Sequence, residues 1–302
     1  MGRDRKPPGD PGDGAVAPPR IAGHDDQGRR YTSLLELWEE QSKRQVEFAE
    51  ANREWWDDDG YGGASEEEAM IGDTGSGEDV EHSRRLLDEV LAARPALRRR
   101  YVLDAGAGVG RVTKHVLLRR FDKACMLEPC SRWLKEARRY LGHRRADRCT
   151  LVNQGLEEYA MPRGTYDLVW FQWCLQYLTD GAVVTALEGA GQALAPGGVV
   201  MVKENRSWQR GKELQFQVDT PEGPNERYDI TRPDDHHRWL FHCAGLVVDH
   251  WEHWDETTTW VLRSAGRVPD VPPGARPPPA RAAKPVPVAA ATQREPVVRS
   301  RK

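Results

Sequence analysis

The 302-residue sequence contains no apolar run of 18 residues and no signal-peptide hydrophobic stretch, so nothing in it reads as a membrane span or a secretory leader. Cysteine is sparse. Cys125, Cys130, Cys149, Cys174 and Cys243 form an odd set without a Cys-x-x-Cys pair, which argues against a disulfide framework and against the usual zinc spacings. Most of them fall in apolar runs, where the thiol behaves as a small hydrophobe. Gly2 follows Met1, but Lys6 stands where a myristoylation signal carries Ser or Thr. No internal repeat is evident. The expected setting is intracellular and reducing, cytoplasmic with a nuclear location permitted by a basic tail, and without a metal or a membrane partner.

Large apolar residues are also scarce at both ends. Residues 1–31 are rich in Pro, Gly, Asp and Arg, and residues 266–302 in Pro, Ala and Arg. Such segments bury too little apolar surface to offset chain entropy, so both are expected to be disordered. What lies between suffices for one sizeable core. The net charge of −3 hides an asymmetry: the last 37 residues carry eight Lys/Arg against two acids, so the first 265 sum to −9. An acidic body suits a cationic substrate better than nucleic acid, which leaves the tail as the only segment expected to meet a nucleic acid.

The most informative stretch is Tyr101-Val102-Leu103-Asp104-Ala105-Gly106-Ala107-Gly108-Val109-Gly110-Arg111. Apolar residues run into an acid, then a Gly-x-Gly-x-Gly turn, then a helical pattern, which is the strand–loop–helix context of a nucleotide-type cofactor loop. Gly106 and Gly108 permit close approach to the backbone. The helix that follows adds unpaired amides and a partial positive charge. The third glycine comes one residue earlier than in a dinucleotide loop, a compact form suited to S-adenosylmethionine, which has no pyrophosphate.

From residue 99 to 265 strands and helices alternate. Strands are expected at 101–105, 124–128, 149–153, 166–171 and 199–203, helices at 111–119, 131–141, 180–194 and 234–244, and a closing strand pair at 246–252 and 258–263. Residues 205–231 read as a long irregular insertion. The order predicts an α/β fold, a doubly wound and mostly parallel sheet with an antiparallel edge strand. Residues 32–98 form a helical N-terminal extension whose Trp55-Trp56-Asp57-Asp58-Asp59-Gly60 run reads equally as a lid over a cationic ligand or as a helix end with a loop.

Ligands of such sheets sit at the carboxyl ends of the strands. Glu128 there offers two oxygens to a ribose diol. Leu156 and Glu157 suit an adenine ring, Gln172 and Trp173 line a pocket, and Arg111 can pair with a carboxylate. His236 and His237 are placed on a surface helix as satisfied or solvated side chains.

Asp104 to Arg111, Gln172-Trp173, Leu178-Thr179-Asp180, Pro196-Gly197-Gly198 and Lys203-Glu204-Asn205 together resemble the protein α-N-terminal methyltransferases. The resemblance spans roughly residues 79–263 and implies a Rossmann-like class I fold. It also implies S-adenosylmethionine as cofactor, and as partners the N-terminal segments of substrate proteins beginning Xaa-Pro-Lys. It carries cofactor contacts onto Gly106, Arg111, Glu128, Pro129, Cys130, Leu156, Glu157 and Gln172, and peptide contacts onto Trp173 and Asn205. The family's His general base falls on Tyr177, a departure. Its acidic catalytic position falls on Asp219 or Asp229, with Asp229 preferred for its spacing to Ile230-Thr231-Arg232. The alternatives are a small-molecule N- or O-methyltransferase and a cofactor-binding protein of the same fold that has lost catalysis. A third, an NAD-dependent oxidoreductase, is disfavoured by the early third glycine.

Overall fold

Strands with apolar side chains at consecutive positions must be covered on both faces, and the central strands of this chain are. The computed structural model describes residues 18–57, 76–207, 215–272 and 274–280. Strands β1 (Gly23–Asp25) and β2 (Arg30–Tyr31) precede helices α1 (Leu34–Asp57) and α2 (Ser76–Ala93). Then come β3 (Tyr101–Ala105), α3 (Arg111–His115), β4 (Lys123–Leu127), α4 (Ser131–Leu141), α5 (His143–Ala146) and β5 (Cys149–Val152). They are followed by β6 (Tyr166–Gln172), α6 (Asp180–Ala193) and β7 (Leu194–Asn205). Last are β8 (Phe216–Asp219), β9 (Asp229–Thr231), α7 (Asp234–Cys243), β10 (Leu246–Trp254) and β11 (Thr257–Ser264).

Seven strands form one sheet in the order β10-β11-β7-β6-β3-β4-β5. Strands β7, β6, β3, β4 and β5 are parallel, and β11 runs antiparallel between β7 and β10, one place in from the edge. Alternate side chains feed two cores. Leu103, Cys125, Val169 and Val200 pack with α1, α6 and α7, whereas Val102, Ala124, Leu168 and Val199 pack with α2 and residues 116–118. This is the expected Rossmann-like, doubly wound arrangement. Connections leave β3 and β6 in opposite directions, which opens a crevice above their carboxyl ends.

A second, four-stranded sheet, β2-β1-β8-β9, corrects two expectations. Residues 18–31 are placed, because β1 pairs in parallel with β8 and the Asp25 carboxylate accepts from the amides of Gln27 and Arg29 and the hydroxyl of Tyr31. Backbone pairing and a buried acid order this stretch, which an estimate from apolar content cannot detect. Within 205–231, residues 216–219 and 229–231 are strands of the same sheet. The tail expectation changes as well: residues 266–272 and 274–280 are described, with Ala275 buried and its carbonyl accepting from Trp239 Nε1 at 3.2 Å. Residues 1–17 and 281–302 lie outside the described residues, as do Asp58, Asp59 and Gly60 of the lid reading.

Helix α1 joins this small sheet to the large one. Its Trp38 Nε1 donates to Asp180 Oδ2 at 2.7 Å, Gln41 Nε2 donates to the Tyr228 hydroxyl at 2.6 Å, and Phe48 stacks on Tyr228 with centroids 4.1 Å apart. Asp180 also receives Arg232 Nε at 2.9 Å and lies 2.5 Å from His236 Nε2. His236 is buried against this cluster and His237 against the rings of Phe241 and Trp260, contrary to their surface placement from sequence, because the first turn of α7 packs inward. No described helix is long and apolar enough to cross a membrane, and the described residues contain no group of three His, Cys, Asp or Glu able to hold a metal ion.

Candidate active site

The crevice above β3 and β6 deepens into a cavity of about 440 Å³, within the usual size of a small-ligand site. Its lining includes Gly106, Gly108, Arg111, Glu128, Pro129, Cys130, Leu156, Glu157 and Gln172, all nine of the residues expected to meet the cofactor. It also includes Trp173, Tyr177 and Asn205, but neither Asp219 nor Asp229.

At one end the walls come from the turn after β3 and the end of β4. Gly106 has φ 69°, and a Cβ there would stand 2.5 Å from the Cβ of Cys174, so this position excludes any side chain. Gly108 also has positive φ, 53°, and its amide donates to Glu128 Oε2 at 2.9 Å. The other carboxylate oxygen accepts from the Cys130 amide at 2.9 Å. Burial pushes the Glu128 carboxyl up to about 7 while these two amides pull the other way. The result is a fixed, dehydrated acceptor pair whose remaining lone pairs suit the two hydroxyls of a ribose. Burial likewise raises Asp104 to about 6, and its Oδ2 accepts from Thr113 Oγ1 at 2.5 Å, holding the start of α3 against β3. Cys130 Sγ lies 2.6 Å from Asp57 Oδ1, so the end of α1 closes over this wall.

Arg111 sits in a buried charge network that the sequence did not reveal. Its Nη1 donates to Asp79 Oδ2 at 2.6 Å, the same carboxylate accepts from Gln172 Nε2 at 3.0 Å, and Lys203 Nζ donates to its other oxygen. Burial pulls the Asp79 carboxyl up, but the Lys203 and Arg111 charges outweigh it and keep it below its usual range. Asp79 thus stays ionised and orients both Arg111 and Gln172. From sequence alone, an acid in the first turn of α2 reads as an ordinary partner of the helix dipole.

The other end is assembled from distant segments. Trp173 takes a left-handed φ of 53°, rare for a bulky side chain and costing on the order of 1–3 kcal/mol. The following turn is held by Glu204, whose Oε1 accepts from the amides of Cys174 and Leu175, each at 2.9 Å. Asn52 of α1 donates to the Tyr177 carbonyl at 2.9 Å, and Trp56 meets the Tyr177 ring edge-on at 5.6 Å. Asn205 Nδ2 reaches Gln176 Oε1 at 3.3 Å. Burial, then the nearby Asp229, hold the Tyr177 phenol well above its ordinary value, so it is neutral throughout the physiological range.

Asp219 and Asp229 face one another across the β8–β9 pair. Burial pushes Asp229 up to about 6 against the pull of Arg227, which lies 3.6 Å away. Arg227 is the residue of this segment that reaches the cavity wall, its guanidinium 4.4 Å from the centroid of Trp55. Sequence spacing pointed to the acid two positions later.

The lining fits S-adenosylmethionine. The glycine turn leaves room at the backbone, Glu128 offers diol acceptors, and Arg111 offers a cation for the amino-acid end. The indole N–H groups of Trp133 and Trp173, two residues of the lining, are buried and find no acceptor among the described residues.

Comparison with known proteins agrees with this geometry. The family model described as AdoMet dependent proline di-methyltransferase matches residues 45–257. A curated relative from Arabidopsis thaliana, alpha N-terminal protein methyltransferase 1, is 31% identical over 240 residues, covering 75% of this chain and 82% of its own. The protein of the same name from Schizosaccharomyces pombe is 33% identical over 185 residues, 60% of this chain and 78% of its own. Among solved structures, a SAM-dependent methyltransferase from Leishmania major superposes with a TM-score of 0.67 at 28% identity, covering 84% of this chain and 100% of that one.

Proposed function

This chain belongs to the AdoMet-dependent proline di-methyltransferase family, and from that premise we propose that it methylates the free α-amino group of protein N-termini, of the Xaa-Pro-Lys kind that some of its relatives are named for. It is an S-adenosylmethionine-dependent methyltransferase, and the cofactor, when bound, supplies an electrophilic methyl group. The observation that carries the substrate reading is the second end of the cavity. Its walls are Trp55, Trp56, Trp173 and Tyr177 with the amide of Asn205, a polar and aromatic wall suited to the first residues of an extended peptide.

In this reading Gly106, Gly108, Arg111, Glu128, Pro129, Cys130, Leu156, Glu157 and Gln172 hold the cofactor. Asn205 binds the backbone of the leading residues, and Trp173 packs against them. The nucleophile must be the neutral amine. An α-amine has a pKa of about 7.7–8.0, so about a tenth is neutral at pH 7 and deprotonation costs only ~1.4 kcal/mol. A lysine side chain near 10.4 would cost roughly 4.6 kcal/mol. A positioned base typically contributes about 10²–10⁴-fold, more than an α-amine needs when proximity and alignment supply the rest.

Tyr177 is neutral and takes the part of a hydrogen-bond partner for the amine. Arg227 presents a positive charge at the same end, which disfavours the ammonium form and lets water carry the proton away. Asp229 acts on the amine through Arg227, by setting how much of that positive charge is felt, and Asp219 acts one step further off through Asp229.

Intact-mass analysis of free and N-acetylated Xaa-Pro-Lys peptides, incubated with the protein and S-adenosylmethionine, tests the reading. Gains of one or more methyl groups on the free peptides only are expected. No gain, with S-adenosylhomocysteine binding intact, would sink the substrate assignment and leave the cofactor site standing.

A further inference from the structure

The charge of the body is sorted by the fold. The cavity takes its lining from the carboxyl ends of the strands, while the turns leading into the amino ends of β3, β4 and β5 form a rim on the opposite side of the sheet. Each turn is cationic and exposed: Arg99 and Arg100 before β3, Arg119 before β4 with Lys123 at its first position, Arg144 and Arg145 before β5. Two acids, Asp122 and Asp147, stand among them. The side chains of the six cations make no ion pair or hydrogen bond with any described residue, unlike neighbouring Arg98 and Arg120, which pair with Asp167 and Asp88.

The rim is built as a unit. The Arg99 carbonyl accepts from the Asp122 amide at 2.9 Å, that of Arg100 from Lys123 at 3.0 Å, and that of Arg148 from Ala124 at 3.0 Å. The Arg148 guanidinium is spent on carbonyls, donating to Asp122 at 2.7 Å and Leu118 at 3.0 Å, which ties the second turn to the third. Neighbouring strands lie about 4.8 Å apart, so the turns before β3, β4 and β5 gather like charges side by side along one rim, where they repel one another. A polyanion relieves that repulsion and releases its own counterions. Among the described residues the large exposed apolar side chains, Leu35, Val46 and Val268, lie elsewhere, so the rim lacks the anchors of a protein interface or of an inserted membrane helix. Five of the six cations are Arg, whose planar fork matches phosphate oxygens.

We propose that this rim binds the phosphodiester backbone of a nucleic acid without regard to sequence, leaving the cavity open on the far side. The net charge of the first 265 residues, −9, conceals the site because the compensating acids lie elsewhere.

Fluorescence anisotropy of the full chain with labelled duplexes of about 20 base pairs, DNA and RNA in separate arms, between about 50 and 200 mM salt, tests it. Polyglutamate and phosphatidylserine vesicles serve as competing polyanions. Binding of either duplex should weaken steeply with salt, with a log–log slope for DNA of about −4 to −5. The triple variant Arg99→Gln, Arg119→Gln, Arg144→Gln should lower that slope by about three while peptide methylation is unchanged. Replacing Arg281, Lys284, Arg294 and Arg299 of the tail by Gln should leave duplex binding in place. The proposal is overturned by no binding at the lowest salt, by a slope that the rim variant leaves intact, by loss of binding in the tail variant, or by tighter binding of polyglutamate or vesicles than of either duplex.

Discussion

At one end of the cavity, Gly106, Gly108, Arg111, Glu128 and Cys130 come from a single strand–turn–helix–strand unit. At the other, Trp55, Trp173, Asn205 and Arg227 come from four separate segments: the end of α1, the turn after β6, the end of β7 and the approach to β9. The first end is held by local backbone bonds, such as those from Gly108 and Cys130 to Glu128. The second is held by contacts across long sequence separations, such as Asn52, which donates to the Tyr177 carbonyl and accepts from the Tyr228 amide at 2.9 Å. In the proposed reading, a cofactor common to a whole fold is served by a contiguous unit, while substrate choice is built from parts that can change independently.

Variants at the two ends should separate cleanly. Glu128→Ala removes a charged acceptor pair, each bond worth about 1.5–3 kcal/mol, so affinity for S-adenosylhomocysteine should fall by about 100-fold or more in calorimetry. A loss under about threefold would remove Glu128 from the cofactor site. Asn205→Ala should lower kcat/KM for an Xaa-Pro-Lys peptide by about 10–100-fold with cofactor affinity unchanged. Equal losses in both would mean that the two ends are one unit.

Tyr177→Phe should cost about tenfold or less, the worth of a neutral hydrogen bond, whereas loss of a general base would cost about 10²–10⁴-fold. The Glu128 carboxyl, raised by burial to about 7, accepts best when ionised, so cofactor affinity should decline as pH falls below about 7. The same raised carboxyl binds its proton more tightly folded than unfolded. Its contribution to folding stability therefore falls as pH rises from its ordinary value, near 4.3, to about 7, and thermal melts of the cofactor-free protein should show that slope. A flat profile would place Glu128 in a more solvated environment. The smallest effect, under about twofold on turnover, is expected for Asp219→Asn, which is removed from the cavity by Asp229 and Arg227.

The sequence made the sheet and the glycine-turn end of the cavity legible because both are written in short-range pattern: apolar runs of strand length, a glycine turn, an acid at the end of the next strand. It did not make β1 or β8 legible, since their order comes from pairing with each other across most of the chain. Asp79 escaped notice because its partners, Arg111, Gln172 and Lys203, are gathered only by the fold. Arg227 escaped because the spacing to Ile230-Thr231-Arg232 favoured Asp229, while strand pairing turns Asp229 toward Asp219 and leaves Arg227 on the wall. His236 and His237 were misplaced for a related reason, the fold turning both inward, His236 onto Asp180 and His237 onto Phe241 and Trp260.

The central claim is that this chain methylates an α-amine without an ionisable enzyme base, and the pH dependence of kcat/KM for a free Xaa-Pro-Lys peptide tests it most directly. The account predicts a single rise through the pKa of the peptide's own amine, about 7.7–8.0, at the same position in Tyr177→Phe and Asp229→Asn. A rise centred near 6 that disappears in Asp229→Asn, or one that vanishes in Tyr177→Phe, would show that an enzyme group takes the proton and would contradict it.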